Sequence, residues 1–171
     1  MSFVVRRLTA VSDTQIRALA DLLVDCVEGG ASVSFMSPLS LDKAAAFWSR
    51  VAAATASGER ALLVAEDSSG IIGTVQLILD LPENQPHRAD LSKMLVHNRA
   101  RRQGVAAAML RAAEELAREL GKTLLVLDTA SAVAARLYAR LGWERVGIVP
   151  DFALLPGGGL CDTTFFYRRL N

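Results

Sequence analysis

The stretch of residues 90–120 constrains the fold more than any other part of this sequence. It begins with a strand-like run that ends at Val96, turns over residues 97–102, and continues as a helical pattern. The helical pattern rests on apolar residues that recur at three- and four-residue steps between charged ones, namely Val105, Met109, Ala113, Leu116 and Leu120. Gly121 comes next and is expected to end the helix. The stretch therefore predicts a strand–turn–helix unit.

Three arginines crowd the N-terminal end of the predicted helix, at Arg99, Arg101 and Arg102. The helix dipole favours anions at this end and disfavours cations, so a sequence selected only for stability would place Asp or Glu there. The arginines indicate instead that an external anion docks on the free N–H groups, with Gly104 and the small residues after it leaving room. The alternative is a solvated basic turn.

The hexapeptide that begins at Arg101 reads Arg-Arg-Gln-Gly-Val-Ala and directly follows the predicted strand. It resembles the Arg/Gln-x-x-Gly-x-Gly/Ala signature of the GNAT superfamily of N-acetyltransferases. The resemblance implies acetyl-CoA as cosubstrate, with its pyrophosphate on the helix N-terminus and its pantetheine arm along the motif strand. The implied coenzyme-binding residues are Met94, Leu95, Val96, Arg101, Arg102, Gln103, Gly104, Val105, Ala106 and Ala107.

The resemblance also implies the fold of nearly the whole chain. That fold is a mixed α/β sheet, with about seven strands and four helices, in a single domain over residues 1–171. The motif strand and the apolar run 123–127 are expected to form a right-handed parallel crossover. Helices capped by Ser12 and Ser40 are predicted early in the chain. The other predicted elements are the strands 3–8, 61–66, 71–81, 143–149 and 163–169 and the helix 131–141, with a long loop between residues 149 and 163.

Composition and charge exclude several classes of function. A net charge of +1 argues against broad binding to nucleic acid or to an anionic membrane. No apolar run approaches the roughly 20 residues of a membrane span. The N-terminus lacks the order of charge and apolar core that marks a secretion signal, so we expect a cytoplasmic protein. Cys26 and Cys161 have no metal-like spacing, and no metal is expected.

Tyr138 is the candidate general acid, because the resemblance places a tyrosine at this helix position, pointing at the coenzyme sulfur. A core tyrosine is the alternative. Asp128 and Asp90 are the candidate bases, since a carboxylate in a half-closed cleft can have its pKa raised and can anchor an ammonium group. Asp128 follows the strand 123–127, where open sheets hold ligands, but a cap of the helix near Ser131 is equally consistent. Asp90 lies at the far end of its strand.

The loop of residues 29–36 carries more apolar residues than a linker requires. In acetyltransferases of this class the connection between the first two helices borders the acceptor site. Ser32, Phe35 and Met36 are therefore predicted to form a wall of the substrate site. The alternative is that Phe35 and Met36 fill the hydrophobic core. His97 is expected to be a surface turn residue. Ser131 stands where the wider family often has Asn, so the coenzyme contacts on that side remain open.

Three segments resemble the tabtoxin resistance protein and its relatives, namely residues 29–36, 127–129 and 149–156. This resemblance implies acetylation of a small primary amine, derived from an amino acid, in toxin or antibiotic resistance, and a homodimer is a further expectation. A protein acetyltransferase acting on a peptide N-terminus or lysine is a rival, since it shares the coenzyme residues. A non-catalytic acetyl-CoA sensor is a second rival, because it needs neither Tyr138 nor the aspartates.

Overall fold

The structure is a computed structural model that describes residues 2–170, so the ends of the expected domain 1–171, Met1 and Asn171, lie outside the described residues. Within them the chain forms seven strands, four α-helices and one short 3-10 helix. In chain order these are β1 (Val4–Leu8), α1 (Asp13–Glu28), α2 (Leu41–Ala56), β2 (Arg60–Asp67), β3 (Gly70–Ile78), β4 (Arg88–Val96), the 3-10 helix (Asn98–Ala100), α3 (Val105–Glu119), β5 (Leu124–Thr129), α4 (Ala132–Arg140), β6 (Glu144–Leu154) and β7 (Leu160–Arg169). The predicted mixed sheet and its element count are confirmed.

The seven described strands form one sheet in the order β1-β2-β3-β4-β5-β7-β6. All neighbours are antiparallel except β4 and β5, which are parallel, as the crossover through α3 predicts. The parallel pairing joins Arg88 to Leu124, Ala89 to Leu125 and Asp90 to Val126. Beyond Asp90 no pairing between these two strands is found in the described chain. The sheet therefore opens between the carboxyl ends of β4 and β5.

The helices divide the core into two layers, one on each face of the sheet. On one face α1 and α2 pack against side chains such as Leu62, Val64 and Leu95, with Trp48 fully buried among them. On the other face α3 and Tyr138 of α4 pack against Leu63, Val75 and their neighbours. Ser12 caps α1 in a capping box with Gln15, as predicted. No helix in the described part of the chain has the length and apolarity needed to span a membrane.

A β-bulge interrupts β4 at Lys93. Leu95 lies opposite Thr74 and Ser92 lies opposite Gln76, so β4 has one residue more than β3 over this interval. Lys93 takes up the extra residue with a φ of 51°, in the left-handed region that non-glycine residues rarely adopt. The bulge redirects the side chains of β4 where this strand leaves β5.

The predicted long loop between residues 149 and 163 is wrong. β6 continues to Leu154 and β7 begins at Leu160, so the connection is short. Pro150 lies inside β6, which is an edge strand where the missing N–H of a proline is tolerated. A register shift between Val149 and Ala153, with Asp151 at a φ of 51°, accommodates the irregular part of the strand.

Candidate active site

The N-terminus of α3 offers free backbone N–H groups. Its N-cap is Gly104, which has a φ of 82° and makes no side-chain capping hydrogen bond. The first N–H groups of a helix have no intrahelical partner, so those of Val105, Ala106 and Ala107 point out of the helix end. A Cβ built on Gly104 meets no atom within 4 Å, so the approach to these groups is open. This geometry suits a phosphate or pyrophosphate.

The three arginines near this end do not act alike. The Arg99 side chain pairs with Asp67, with Nη1 2.5 Å from Oδ2, so its charge is already compensated. Arg101 donates from Nε to the Val96 carbonyl at 3.3 Å, and Arg102 is exposed with a φ of 62°. The basic cluster available to an external anion is therefore Arg101 and Arg102. The expectation that Arg99 contributes to it is not supported.

The edge of β4 that faces β5 is unpaired beyond Asp90. Met94, Leu95 and Val96 lie on this segment, and Leu95 and Val96 pair only with β3 on the other side. Backbone groups on a free strand edge can bind an extended ligand through amide hydrogen bonds. The edge ends at the turn that leads into α3. The uncapped helix end and the free edge thus fit a long ligand that carries a phosphate and an amide-containing arm, as acetyl-CoA does.

A cavity of about 270 Å³ lies at the carboxyl end of β5. Three segments line it: the α1–α2 loop, the end of β5 and the β6–β7 hairpin, with Ser32, Phe35 and Met36 all on its wall. Phe35 also packs edge-on against Phe47, with ring centroids 5.3 Å apart, whereas Met36 is 41% exposed. Met36 therefore does not fill core, and Phe35 both packs and lines the cavity.

Tyr138 is buried in the layer under α4. Its ring lies 5.8 Å from the rings of both Trp143 and Phe166, measured between centroids. Burial raises the pKa of the Tyr138 hydroxyl well above its usual range, and the negative charge of Asp128 adds to this effect. The hydroxyl therefore stays protonated at physiological pH. A neutral phenol carries a proton that it can donate, although its raised pKa makes it a weaker acid than an exposed tyrosine.

Asp128 is exposed at the end of β5 and lines the cavity. Its Oδ2 accepts a hydrogen bond of 2.7 Å from the Thr163 hydroxyl of β7. The cap of α4 is Ser131, whose hydroxyl accepts from the Ala134 N–H at 3.2 Å. The alternative in which Asp128 caps this helix is therefore wrong. The same observation gives Ser131 a structural role within α4.

Asp90 lies at the point where β4 and β5 separate. It forms an ion pair with Arg88. Burial raises the pKa of the Asp90 carboxyl, the Arg88 charge lowers it, and the Asp128 charge raises it. Asp90 pairs with Val126, and side chains alternate along a strand, so Asp128 lies on the same face of the sheet. The structure thus brings together two carboxylates that the sequence puts at opposite strand ends.

Two residues near the cavity escape prediction from the sequence. Lys93 points from the bulge toward the α1–α2 loop, where its Nζ donates to Ser34 Oγ at 3.3 Å. Thr163 holds Asp128 from another strand. A lysine within an otherwise half-buried strand is unusual and is a signal for Lys93. No local signal points to Thr163. His97 lies in the turn after β4, where its Nδ1 accepts from the Arg99 N–H at 3.3 Å.

The sequence matches a known family. The family model described as an acetyltransferase (GNAT) domain matches residues 58–145, which is more than half of the chain. N-acetyltransferase 8B of Homo sapiens is 37% identical over 87 residues, which cover 49% of this chain and 38% of that protein. An uncharacterized N-acetyltransferase of Azospirillum brasilense is 28% identical over 167 residues, which cover 88% of this chain and 97% of that protein. The chain therefore belongs to the GNAT acetyltransferases.

Solved structures share the fold along the whole chain. A ribosomal-protein-alanine N-acetyltransferase from Brucella melitensis has a TM-score of 0.81 and 22% identity, with coverage of 98% of this chain and 99% of that one. An acetyltransferase from Salmonella typhimurium, solved with its cofactor acetyl-CoA, has a TM-score of 0.80 and 19% identity, with coverage of 100% and 95%. These similarities confirm the predicted GNAT fold. The match covers 38% of the human relative, so this chain spans less than half of the length of that protein.

Proposed function

We propose that this protein transfers the acetyl group of acetyl-CoA to a primary amine of a small molecule by direct transfer. One observation carries the proposal: the uncapped N-terminus of α3, the free edge of β4 and the cavity at the end of β5 lie around the same opening of the sheet. Family membership supports acetyl-CoA as the donor. Open α/β sheets hold their ligands in such an opening.

The coenzyme-binding residues divide into two groups. The N–H groups from Arg102 to Ala107, with the Arg101 guanidinium beside them, bind the pyrophosphate. The backbone of Met94 to Val96 binds the pantetheine arm, and an N–H near Leu95 stabilises negative charge on the carbonyl oxygen during transfer. When bound, acetyl-CoA supplies an activated acetyl thioester. The matching chemistry of an open helix end and a free strand edge supports this assignment.

The proton path uses Tyr138 as the acid and a carboxylate as the base. The Tyr138 hydroxyl stays protonated and donates its proton to the departing sulfur, and a short hydrogen bond to that sulfur offsets the weaker acidity that the raised pKa implies. Asp128 removes the amine proton directly or through water, because it lines the cavity and its only protein hydrogen bond among the described residues comes from Thr163. Asp90 assists from the same face of the sheet, where its pairing with Arg88 keeps it positioned.

The acceptor is a small amine, and the cavity supports this choice. Its three-sided wall and volume of about 270 Å³ suit a small molecule better than the backbone of a protein substrate. The resemblance to the tabtoxin resistance protein supports an amine derived from an amino acid, in toxin or antibiotic resistance. Acetylation of a protein N-terminus or lysine is the second candidate. The cytoplasmic location and the homodimer stay predictions.

Release of free thiol from acetyl-CoA tests the proposal against both rivals. The purified protein is incubated with acetyl-CoA and with small primary amines, peptides with a free N-terminus, or peptides with a free lysine. Thiol release with small amines supports the proposal, whereas release with peptides alone supports protein acetylation. Binding of acetyl-CoA without release in any set contradicts both and favours a sensor. A Gly104→Glu variant controls for spontaneous hydrolysis.

A further inference from the structure

Lys93 is a half-buried cation that the proposed transfer does not use. It stands at the bulge of β4, its Nζ donates to Ser34 Oγ at 3.3 Å, and it lies 5.7 Å from the centroid of the Phe47 ring. Burial lowers the pKa of the Lys93 ammonium and the neighbouring Arg60 charge lowers it further. The ammonium is thus partly removed from water without a strong protein acceptor.

Other half-buried cations of the described chain have better partners. Arg88 pairs with Asp90, and Arg60 donates to the Gln76 side chain at 2.6 Å. Lys122 donates to the Pro86 carbonyl at 2.7 Å. None of the ion pairs within residues 2–170 involves Lys93. Arg60 and Lys122 also lack an anion, but their hydrogen bonds are short, whereas the bond from Lys93 to Ser34 is 3.3 Å long. Removing a weakly bonded charge from water costs free energy, so packing alone does not account for this lysine.

The ammonium lies at the margin of the cavity. Ser34, its hydrogen-bond partner, lines the cavity together with Asp128 and adopts a φ of 77° in the α1–α2 loop. The Asp128 carboxylate acts on the pKa of Lys93 in the opposite sense to burial, raising it, so the two charges lie within electrostatic range. They are not paired with each other. The lining of the cavity therefore includes a carboxylate, and an ammonium is hydrogen-bonded to another lining residue, Ser34.

We propose that Lys93, with the Ser34 hydroxyl, binds an anionic group of the acetyl acceptor, and that the acceptor is an amino acid or a close derivative with a free carboxylate. The inference rests on the proposed acetyl transfer. Lys93 repels a simple cationic amine because like charges repel. An acceptor with both charges places its amine toward Asp128 and its carboxylate toward Lys93. The carboxylate then satisfies the ammonium that the protein leaves without an ion-pair partner.

The test compares free amino acids with their carboxamides, which keep the same side chain and α-amine but lack the carboxylate. The kcat/KM of both sets is measured by thiol release for the parent protein and for Lys93→Met, which keeps much of the length of the side chain without its charge. The α-amines of free amino acids and of their carboxamides differ in basicity, which affects kcat/KM independently of recognition. The quantity compared is therefore the acid-to-amide ratio of kcat/KM in the parent protein, divided by the same ratio in Lys93→Met. We expect this quotient to be about 10 to 100.

Two further variants separate recognition from structural damage. Lys93→Arg keeps a cation and is expected to retain most of the preference for acids. Lys43→Met removes an exposed lysine on α2 and is expected to leave both sets unchanged. In Lys93→Met the activity on amides should stay within about twofold of the parent, because only acids use the ammonium. An equal loss on acids and amides would indicate a structural lysine and overturn the inference.

The outcomes keep this inference distinct from the proposed function. An acid-to-amide quotient near one, with amines still acetylated, overturns the role of Lys93 and leaves acetyl transfer to small amines in place. A parent protein that acetylates amides better than acids, with no change in Lys93→Met, also overturns the role of Lys93. That result would favour peptide N-termini as acceptors. A parent that releases thiol with other small primary amines but with neither set overturns the inference and leaves the small-amine function in place. A parent that releases no thiol with any small primary amine contradicts that function, and the inference fails with it.

Discussion

At the scale of single residues, the three groups of the proposed proton path differ in burial. Tyr138 is 4% exposed, whereas Asp128 is exposed at the cavity and Asp90 lies between these extremes beside Arg88. A buried phenol favours its neutral form, which carries a proton, whereas both carboxylates lie closer to solvent. The environments therefore distinguish the proposed proton donor from the proposed acceptors before any ligand binds. This separation is what a single-step transfer with one acid and one base requires.

Replacing Tyr138 with Phe removes only the hydroxyl oxygen and leaves the ring packed against Trp143 and Phe166. We expect turnover at saturating acetyl-CoA to fall by roughly 10²-fold, because the departing thiolate loses its proton donor. Coenzyme binding and the melting temperature should change little. Steady-state kinetics with thermal melting of the same preparation check this. Unchanged turnover in a folded variant would assign Tyr138 to the core alone.

Asp128→Asn keeps an oxygen that can accept from Thr163 and removes only the charge. If Asp128 is the base, turnover should fall by roughly 10²-fold while the melting temperature stays the same. Thr163→Val is the matched control, since it removes the hydrogen bond and keeps the carboxylate. The loss in Thr163→Val should be much smaller than in Asp128→Asn. A loss in Thr163→Val with unchanged turnover in Asp128→Asn would show that the hydrogen bond matters and the charge does not.

Asp90→Asn tests the second carboxylate through the pH profile. Because burial raises the pKa of Asp90, its deprotonation is completed at a higher pH than for an exposed aspartate. A base must be deprotonated, so activity on the acid side should rise as pH passes through this pKa. In Asp90→Asn we expect that rise to flatten or move if Asp90 is a base. If both Asn variants match the parent across pH, the amine is deprotonated in solution before it binds.

At the scale of elements, the geometry of the N-terminus of α3 predicts how substitutions of Gly104 affect acetyl-CoA binding. Gly104→Glu and Gly104→Ala share the backbone cost of a side chain at a φ of 82°, about 1 to 2 kcal/mol. Only the glutamate adds a negative charge at the helix end, where it competes with an anionic ligand for the helix dipole and the free N–H groups. We expect Gly104→Glu to abolish acetyl-CoA binding and Gly104→Ala to keep part of it, as titration calorimetry of both folded variants can measure. Binding by Gly104→Glu would place the pyrophosphate elsewhere.

Most elements could be predicted from the sequence because their signals are local. The capping box at Ser12 and the apolar periodicity of α3 depend on neighbouring residues, and both are confirmed. The continuation of β6 through Pro150 could not be predicted, because it depends on β7 and on the edge position of the strand. At the site, the same limit applies to Arg99. Its partner Asp67 is 32 residues away, so only the fold shows that its charge is compensated.

At the scale of the whole molecule, the opening between β4 and β5 divides the sheet. Strands β1 to β4 form one part, and β5, β7 and β6 form the other. The two parts share the parallel pairing of β4 with β5, which ends at Asp90. A ligand that fills the opening therefore contacts both parts.

The last prediction follows from this arrangement. A ligand that binds only the folded state stabilises it by mass action, by about 2.7 kcal/mol at a concentration of 100 times its Kd. For a chain of this size that free energy raises the melting temperature by about 5 to 10 °C. We expect acetyl-CoA to produce this shift, and NAD or ATP at the same concentration to produce much less, because they lack the pantetheine arm that we propose to pair with β4. Gly104→Glu should show no shift with acetyl-CoA, which separates specific binding from a general effect of the solution. Melting by differential scanning fluorimetry measures all of these, and a parent protein that acetyl-CoA leaves unshifted would contradict the assignment of the opening to the coenzyme.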